Sequence, residues 1–140
     1  MTNCGLPHSG FEEIAHTADW AIRVWADNME SLFAEAARGM YAISGVHLAE
    51  GPRREHSFQV TGPDPESQLV AFLSELAYLA EQEKIGFDII SIQTTAEELL
   101  VAMEGAPIEK INKVIKAVTY HNLQIAKTLT GVETEIVFDV

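Results

Sequence analysis

An imidazole and a carboxylate stand three residues apart in His16-Thr17-Ala18-Asp19, directly before a run that alternates like a strand from Trp20. Side chains on such a connection project from the end of a sheet, where His and Asp can hold a divalent ion. A polar turn explains the same four residues, with Asp19 capping it and His16 bonded to nearby backbone. A short H-x-x-D pair alone does not complete a metal's ligand set. At the other end of the chain, Ile136 and Phe138 alternate as a core-facing pair. Asp139 then points the opposite way, one residue from the α-carboxylate of Val140. Two carboxylates this close repel unless a cation lies between them or water solvates both. Their hard oxygens suit Ca²⁺ or Mg²⁺ better than zinc. A frayed, hydrated terminus is the alternative. The metal reading requires a further acid, and Asp19 is the candidate. A third stretch is Lys116-Ala117-Val118-Thr119-Tyr120-His121. In extended geometry Lys116, Val118 and Tyr120 share one face, and Ala117, Thr119 and His121 the other. An edge strand with polar decoration explains it equally.

Other chemistries leave no trace. There is no P-loop, dinucleotide fingerprint, HExxH or GxSxG. Cys4 is the only cysteine, which excludes an intrachain disulfide or a Cys-rich zinc site and makes the cytoplasm the expected compartment. The opening MTNCGLPHSG lacks the basic start and apolar run of a signal peptide, and the apolar stretches fall short of a membrane span. Nine Lys and Arg stand against 21 acids, for a net charge of −12. Nucleic acid is bound mainly through basic side chains on phosphates, so direct nucleic-acid binding is not expected. Such acidity suits an encounter with a basic protein surface, or serves solubility alone.

The positioning elements follow from periodicity. A chain of 140 residues, 47% hydrophobic and 21% charged, suits one soluble domain, here 11–140 behind a loose tail at 1–10. Phe11 to Ala15 and the run from Trp20 read as strands, the second with Trp20, Ile22 and Val24 on one face. Asp27 reads as a helix N-cap with Glu30 as its capping-box partner, and the helix runs to about Ile43 before Ser44-Gly45. His47 to Arg54 reads as a loop and His56 to Thr61 as a strand. Asp64-Pro65 is a helix start, and Leu69, Phe72, Leu73, Leu76 and Leu79 form the stripe of a helix to about Lys84. Both apolar stripes are read as core. After Gly86 the pattern is β: Ile85 to Thr94, Glu98 to Gly105, an irregular Ala106 to Lys113, then Ile115 to Lys127 interrupted at His121-Asn122, and Glu133 to Val140. Short links between the late strands favour antiparallel pairing. The expected fold is α+β, mostly antiparallel sheet with two amphipathic helices packed on one face.

Taken together, His16-Thr17-Ala18-Asp19, Lys116 to His121 and Phe138-Asp139-Val140, in this order and spacing, resemble the archease family over Phe11 to Val140. The resemblance implies a small α+β protein that is not itself an enzyme. It implies an accessory factor of the RtcB-type RNA ligase, which joins RNA ends in tRNA splicing and RNA repair. The factor promotes the ligase's GTP-dependent guanylylation and hence multiple turnover. The resemblance further implies a divalent metal ion (Ca, Mg or Mn) held by Asp19, Asp139 and the Val140 carboxylate. It makes Lys116 a functional position, with His16 and His121 as neighbours of the site. One segment departs from the family pattern. Pro107 to Val114 is shorter than usual and carries two lysines, Lys110 and Lys113, and the single acid Glu109 where acidic and histidine residues are common. Two other functions fit the residues: a metal-dependent phosphoester hydrolase using His16, Asp19, His121 and Asp139, and a chaperone-like binding module in which the polar cluster is structural.

Overall fold

A computed structural model describes residues 8–14, 20–95 and 97–140. Along the chain the described elements are β1 (Gly10–Ile14), β2 (Trp20–Ala26), α1 (Met29–Ser44), β3 (His47–Leu48), β4 (Arg54–Thr61), α2 (Pro65–Gln82), β5 (Ile85–Thr94), β6 (Glu98–Lys110), β7 (Ala117–Val118), β8 (Ala126–Lys127) and β9 (Val132–Asp139). They form two antiparallel sheets. The first runs β1-β2-β9-β7, with β8 also on β9. The second is built on the long β6, which pairs with β4, β5 and, near its end, β3. The fold is α+β, as the alternation of strand and helix periods predicts.

Each sheet turns an apolar face to the helices and a polar face outward. In β2, Ile22 and Val24 are buried while Arg23 is exposed and reaches Glu12 on β1 and Glu133 on β9, each at 3.2 Å. In the second sheet Ser57, Ala102 and Ser91 form an exposed row across β4, β6 and β5. Helix α1 packs on β1, β2 and β9 and also on β5; α2 packs on β4, β5, β6 and β7. Leu32, Phe33 and Ala36 of α1 and Leu69, Phe72, Leu73 and Leu76 of α2 have no exposed surface. The Phe33 and Phe72 rings stack at 5.9 Å between centroids. Each large apolar side chain buried in this way contributes about 1.5–3 kcal/mol. Gly39 lets α1 lie close on the first sheet, because a Cβ there would come within 2.7 Å of Ile22 Cδ1.

Local chemistry explains the helix ends. Asp64 Oδ1 accepts from the Ser67 amide at 2.7 Å, with Pro65 in the first turn, as predicted. Gly45, at φ 70°, ends α1 in the left-handed conformation that a Cβ disfavours. The start of α1 differs from expectation by one residue. Asn28, not Asp27, is the N-cap, and its Oδ1 accepts from the Ser31 amide at 2.9 Å. Glu30 makes no capping box; its carboxylate accepts from the Thr94 amide at 2.9 Å.

Three other expectations are corrected. The stretch His47 to Arg54 contains the short strand β3. Ala106 to Lys110 is not irregular but continues β6, because Pro107 still pairs beside Ile85 and accepts from the Ala49 amide. Within Ile115 to Lys127, interrupted as expected, the strands on either side of the break are far shorter than expected. Only β7 and β8 pair with β9, and the chain between them turns through Asn122 at φ 54°. The positive φ at Asn122 is the break that the sequence indicated.

Candidate functional site at the end of the first sheet

Strand β9 lies inside the first sheet, with β2 on one flank and β7 on the other. Phe138 is paired with Trp20 on β2 and with Val118 on β7, so three distant stretches form one row. Phe138 and Val118 are buried and Trp20 is half-buried, which anchors the row to the core. One residue further, Asp139 pairs with Ala117, and its carbonyl accepts from the Lys116 amide at 2.8 Å. Thr119 binds the other side of the row: its amide and its hydroxyl both donate to the Val137 carbonyl, at 3.0 and 3.1 Å.

This backbone fixes where the side chains emerge. Asp139 is exposed at the strand end, and Val140 is partly buried against the core. Lys116 is exposed, next to the backbone bond it makes with Asp139. The expected face of Lys116, Val118 and Tyr120 is broken up: Val118 is buried, while Lys116 and Tyr120 face solvent. Buried positions here are Ile115 and Val118, three apart, because the paired stretch is too short to impose a strand period. His121 is exposed on the turn after β7. Its amide donates to Thr119 Oγ1 at 3.2 Å, and its Nε2 lies 3.3 Å from the Asn122 side-chain amide nitrogen. The turn is pinned from two elements. Glu66, in the first turn of α2, accepts from the Ile125 amide at 2.9 Å, and Thr134 on β9 donates to the Gln124 carbonyl at 2.9 Å.

His16 and Asp19 lie outside the described residues. Asp19 directly precedes Trp20 in sequence, and Trp20 is the described partner of Phe138. Among the described residues, no three of His, Cys, Asp and Glu come together as a metal site, and Asp139 has no ion-pair partner. At this sheet end the described residues supply the exposed carboxylate of Asp139, a hard oxygen donor that suits Ca²⁺, Mg²⁺ or Mn²⁺ better than a thiolate-loving ion.

One residue of this region escapes sequence reasoning. Lys113 Nζ lies 5.8 Å from the centroid of the Trp20 ring, within range of a cation–π contact. Its amide donates to the Ser44 carbonyl at 3.1 Å, which ties the segment before β7 to the end of α1. The spacing Lys110, Lys113, Lys116 was the only signal for it.

A family model, the Archease protein family (MTH1598/TM1083), matches residues 11–140. The chain belongs to the archease family. Protein archease of Methanosarcina mazei is 31% identical over 149 residues, covering 96% of this chain and all of the relative. Protein archease of Methanosarcina acetivorans is 32% identical, again over 96% of this chain and 100% of the relative. Among solved structures, the crystal structure of "an archease, possible chaperone" from Thermotoga maritima superposes with a TM-score of 0.66 at 25% identity, over 92% of this chain and 96% of that one. The solution structure of protein 1598 from Methanobacterium thermoautotrophicum gives a TM-score of 0.68 over 94% of this chain and 99% of that one; at 22% identity it speaks for the fold. No described helix is long and apolar enough to cross a membrane.

Proposed function

We propose that this family member is a non-enzymatic accessory factor of an RtcB-type RNA ligase. It promotes the ligase's GTP-dependent guanylylation, and so its multiple turnover in tRNA splicing or RNA repair. The observation that carries the reading is the row Trp20–Phe138–Val118, which brings the chain end, the start of β2 and the strand after Lys116 to one sheet end. Membership of the archease family supports the same assignment.

Asp139 and the Val140 carboxylate, with Asp19, are the residues that would hold a divalent ion. Such an ion supplies positive charge for phosphate oxygens during nucleotidyl transfer. The residues of the chain do the rest. Backbone pairing of Asp139 with Lys116 and Ala117 orients the carboxylate without using it up. Lys116, whose backbone amide bonds to the Asp139 carbonyl, is exposed at the same strand end and able to meet a phosphate or an acidic group of the ligase. The family resemblance adds His16 and His121 as further candidate residues for this site. The protein works in the cytoplasm and does not bind RNA directly.

Guanylylation of the ligase by GTP, with and without this protein, tests the reading. Stimulation is expected with the natural chain and its loss with Asp19→Ala, Asp139→Ala or Lys116→Ala. Wild-type rates with Asp139→Ala would remove the metal site from the mechanism. A chaperone-like reading draws support from the description of the Thermotoga maritima relative as a possible chaperone. It predicts that a C-terminal extension after Val140, which alters the terminal carboxylate, leaves function untouched.

A further inference from the structure

The nine basic residues divide into two populations. All four arginines are paired with carboxylates: Arg23 with Glu12 and Glu133, Arg38 with Glu35, Arg53 with Asp88 and Glu104, Arg54 with Glu83. Among the described residues no lysine forms an ion pair with a carboxylate. Four of the five lysines, Lys84, Lys110, Lys113 and Lys116, fall where α2 ends and the chain runs from β6 to β7. Lys84 is occupied as a cap, its Nζ donating to the Glu81 carbonyl at 2.7 Å. The other three recur every third residue, Lys110 and Lys113 in the segment that departs from the family pattern and Lys116 just after it.

Lys84, Lys110 and Lys116 border a depression. A cavity of about 170 Å³ lies between the ends of α1 and α2 and the segment after β6; its floor includes Met40, Ala77, Ala80 and Ile115, and Lys84 and Lys110 line it. A second, about 130 Å³, continues it along α2 to Lys116; the two share Ala77, Glu81 and Ile115. Exposed apolar side chains stand along the edge, with Val114 at 40% and Tyr78 at 58%. Glu81 and Glu109 are the acids of the lining, so it carries more lysines than acids in a chain of net charge −12.

We infer that this groove docks an acidic segment of the partner ligase, one that seats an apolar side chain on the α2 floor and sets carboxylates against Lys110 and Lys116. The inference rests on the proposed function for the partner's identity, but not on the metal site. Two features favour a peptide over RNA. The floor is apolar and too small for a stacked base series, and the chain as a whole carries a net charge of −12, which repels a polyphosphate backbone. A short acidic segment needs only the local lysines, and long-range charge affects its arrival more than its hold. The groove ends at Lys116, so a docked segment would place the ligase against the sheet end that carries Asp139.

Binding of the ligase to the full chain, measured calorimetrically in EDTA at low and moderate salt, tests this. Lys110→Glu and, separately, Val114→Asp are expected to weaken binding about tenfold at low salt, and Lys110→Glu also to flatten the salt dependence. Both positions are exposed, and circular dichroism checks that the variants fold. Asp139→Asn is expected to bind as the natural chain does while failing to stimulate guanylylation. Ligase binding unchanged in both groove variants overturns the inference and leaves the proposed function standing. No binding by the natural chain overturns both. Binding of a single-stranded RNA oligonucleotide that Lys110→Glu abolishes, with ligase binding intact, assigns the groove to RNA and also overturns it.

Discussion

Adjacent residues on β9 do opposite work. Phe138 is fully buried at the centre of the row that joins Trp20 and Val118, so it holds three strands in register. Phe138→Ala removes a ring from a closed core, and a loss of about 3–5 kcal/mol is expected in denaturant unfolding. Asp139 is exposed, and its structural role runs through its backbone carbonyl. Asp139→Asn should leave the unfolding midpoint within experimental error while lowering the affinity for Ca²⁺ or Mn²⁺ measured by calorimetry. Equal metal affinity in the variant would exclude this carboxylate as a ligand. The exposed position of Asp139 was legible from strand alternation, since Ile136 and Phe138 had to face inward. Lys113 was not, because its contact with Trp20 spans most of the chain and depends on how the segment after β6 returns past α1.

The elements show where local rules suffice. Helix α2 announces itself because Asp64 and Pro65 satisfy the first turn with no outside help. At α1, Asp27 and Asn28 both have a side chain suited to capping. Glu30 would favour Asp27 through a capping box, yet it is drawn away to the Thr94 amide, a tertiary partner 64 residues on. Asn28→Ala should therefore cost about 1 kcal/mol of stability, and Asp27→Ala close to nothing, in parallel urea titrations. Strand β6 outran its expected end for a related reason. Pro107 lacks an amide proton, but its carbonyl and the Ile108 amide are both satisfied by neighbouring chain. Acid sensitivity is expected from two of these elements. The Ser67 amide and hydroxyl hold the Asp64 carboxyl below the ordinary carboxylate range, and the Arg53 guanidinium does the same for Asp88 on β5. A lowered folded value means the stabilisation is present above the unfolded value and is lost as pH falls through the folded one. Melting temperature should thus decline below the ordinary carboxylate range. Asp64→Asn, which keeps an acceptor for the Ser67 amide, should make that decline shallower.

At the scale of the molecule, the site is a product of topology rather than of any motif. The first two strands alone present Trp20 at an open edge; β9 closes it, and β7 and β8 then add to β9. A metal site shared by Asp19 and the chain end requires the last strand to lie beside the first ones, and β9 does pair with β2. Sequence reading could not give the order, in which β9 meets β2 directly and β1 lies beyond. Nor could it shorten the strand after Lys116, whose length is set by how far β9 extends and by the turn that Glu66 and Thr134 pin. This order separates folding from function along a single strand. Deleting residues 132–140 removes the shared partner of β2, β7 and β8, so the first sheet should not form, and a cooperative melt should be absent. Deleting only Asp139 and Val140 keeps the pairs of Phe138 with Trp20 and Val118, and gives up the Lys116 amide bond at the sheet end. That shorter chain should melt cooperatively within a few degrees of the full one and still bind the ligase through the α2 groove, yet give no stimulation of guanylylation. Full stimulation by the shortened chain would place the activity elsewhere on the surface and leave the convergence at Phe138 a matter of stability alone.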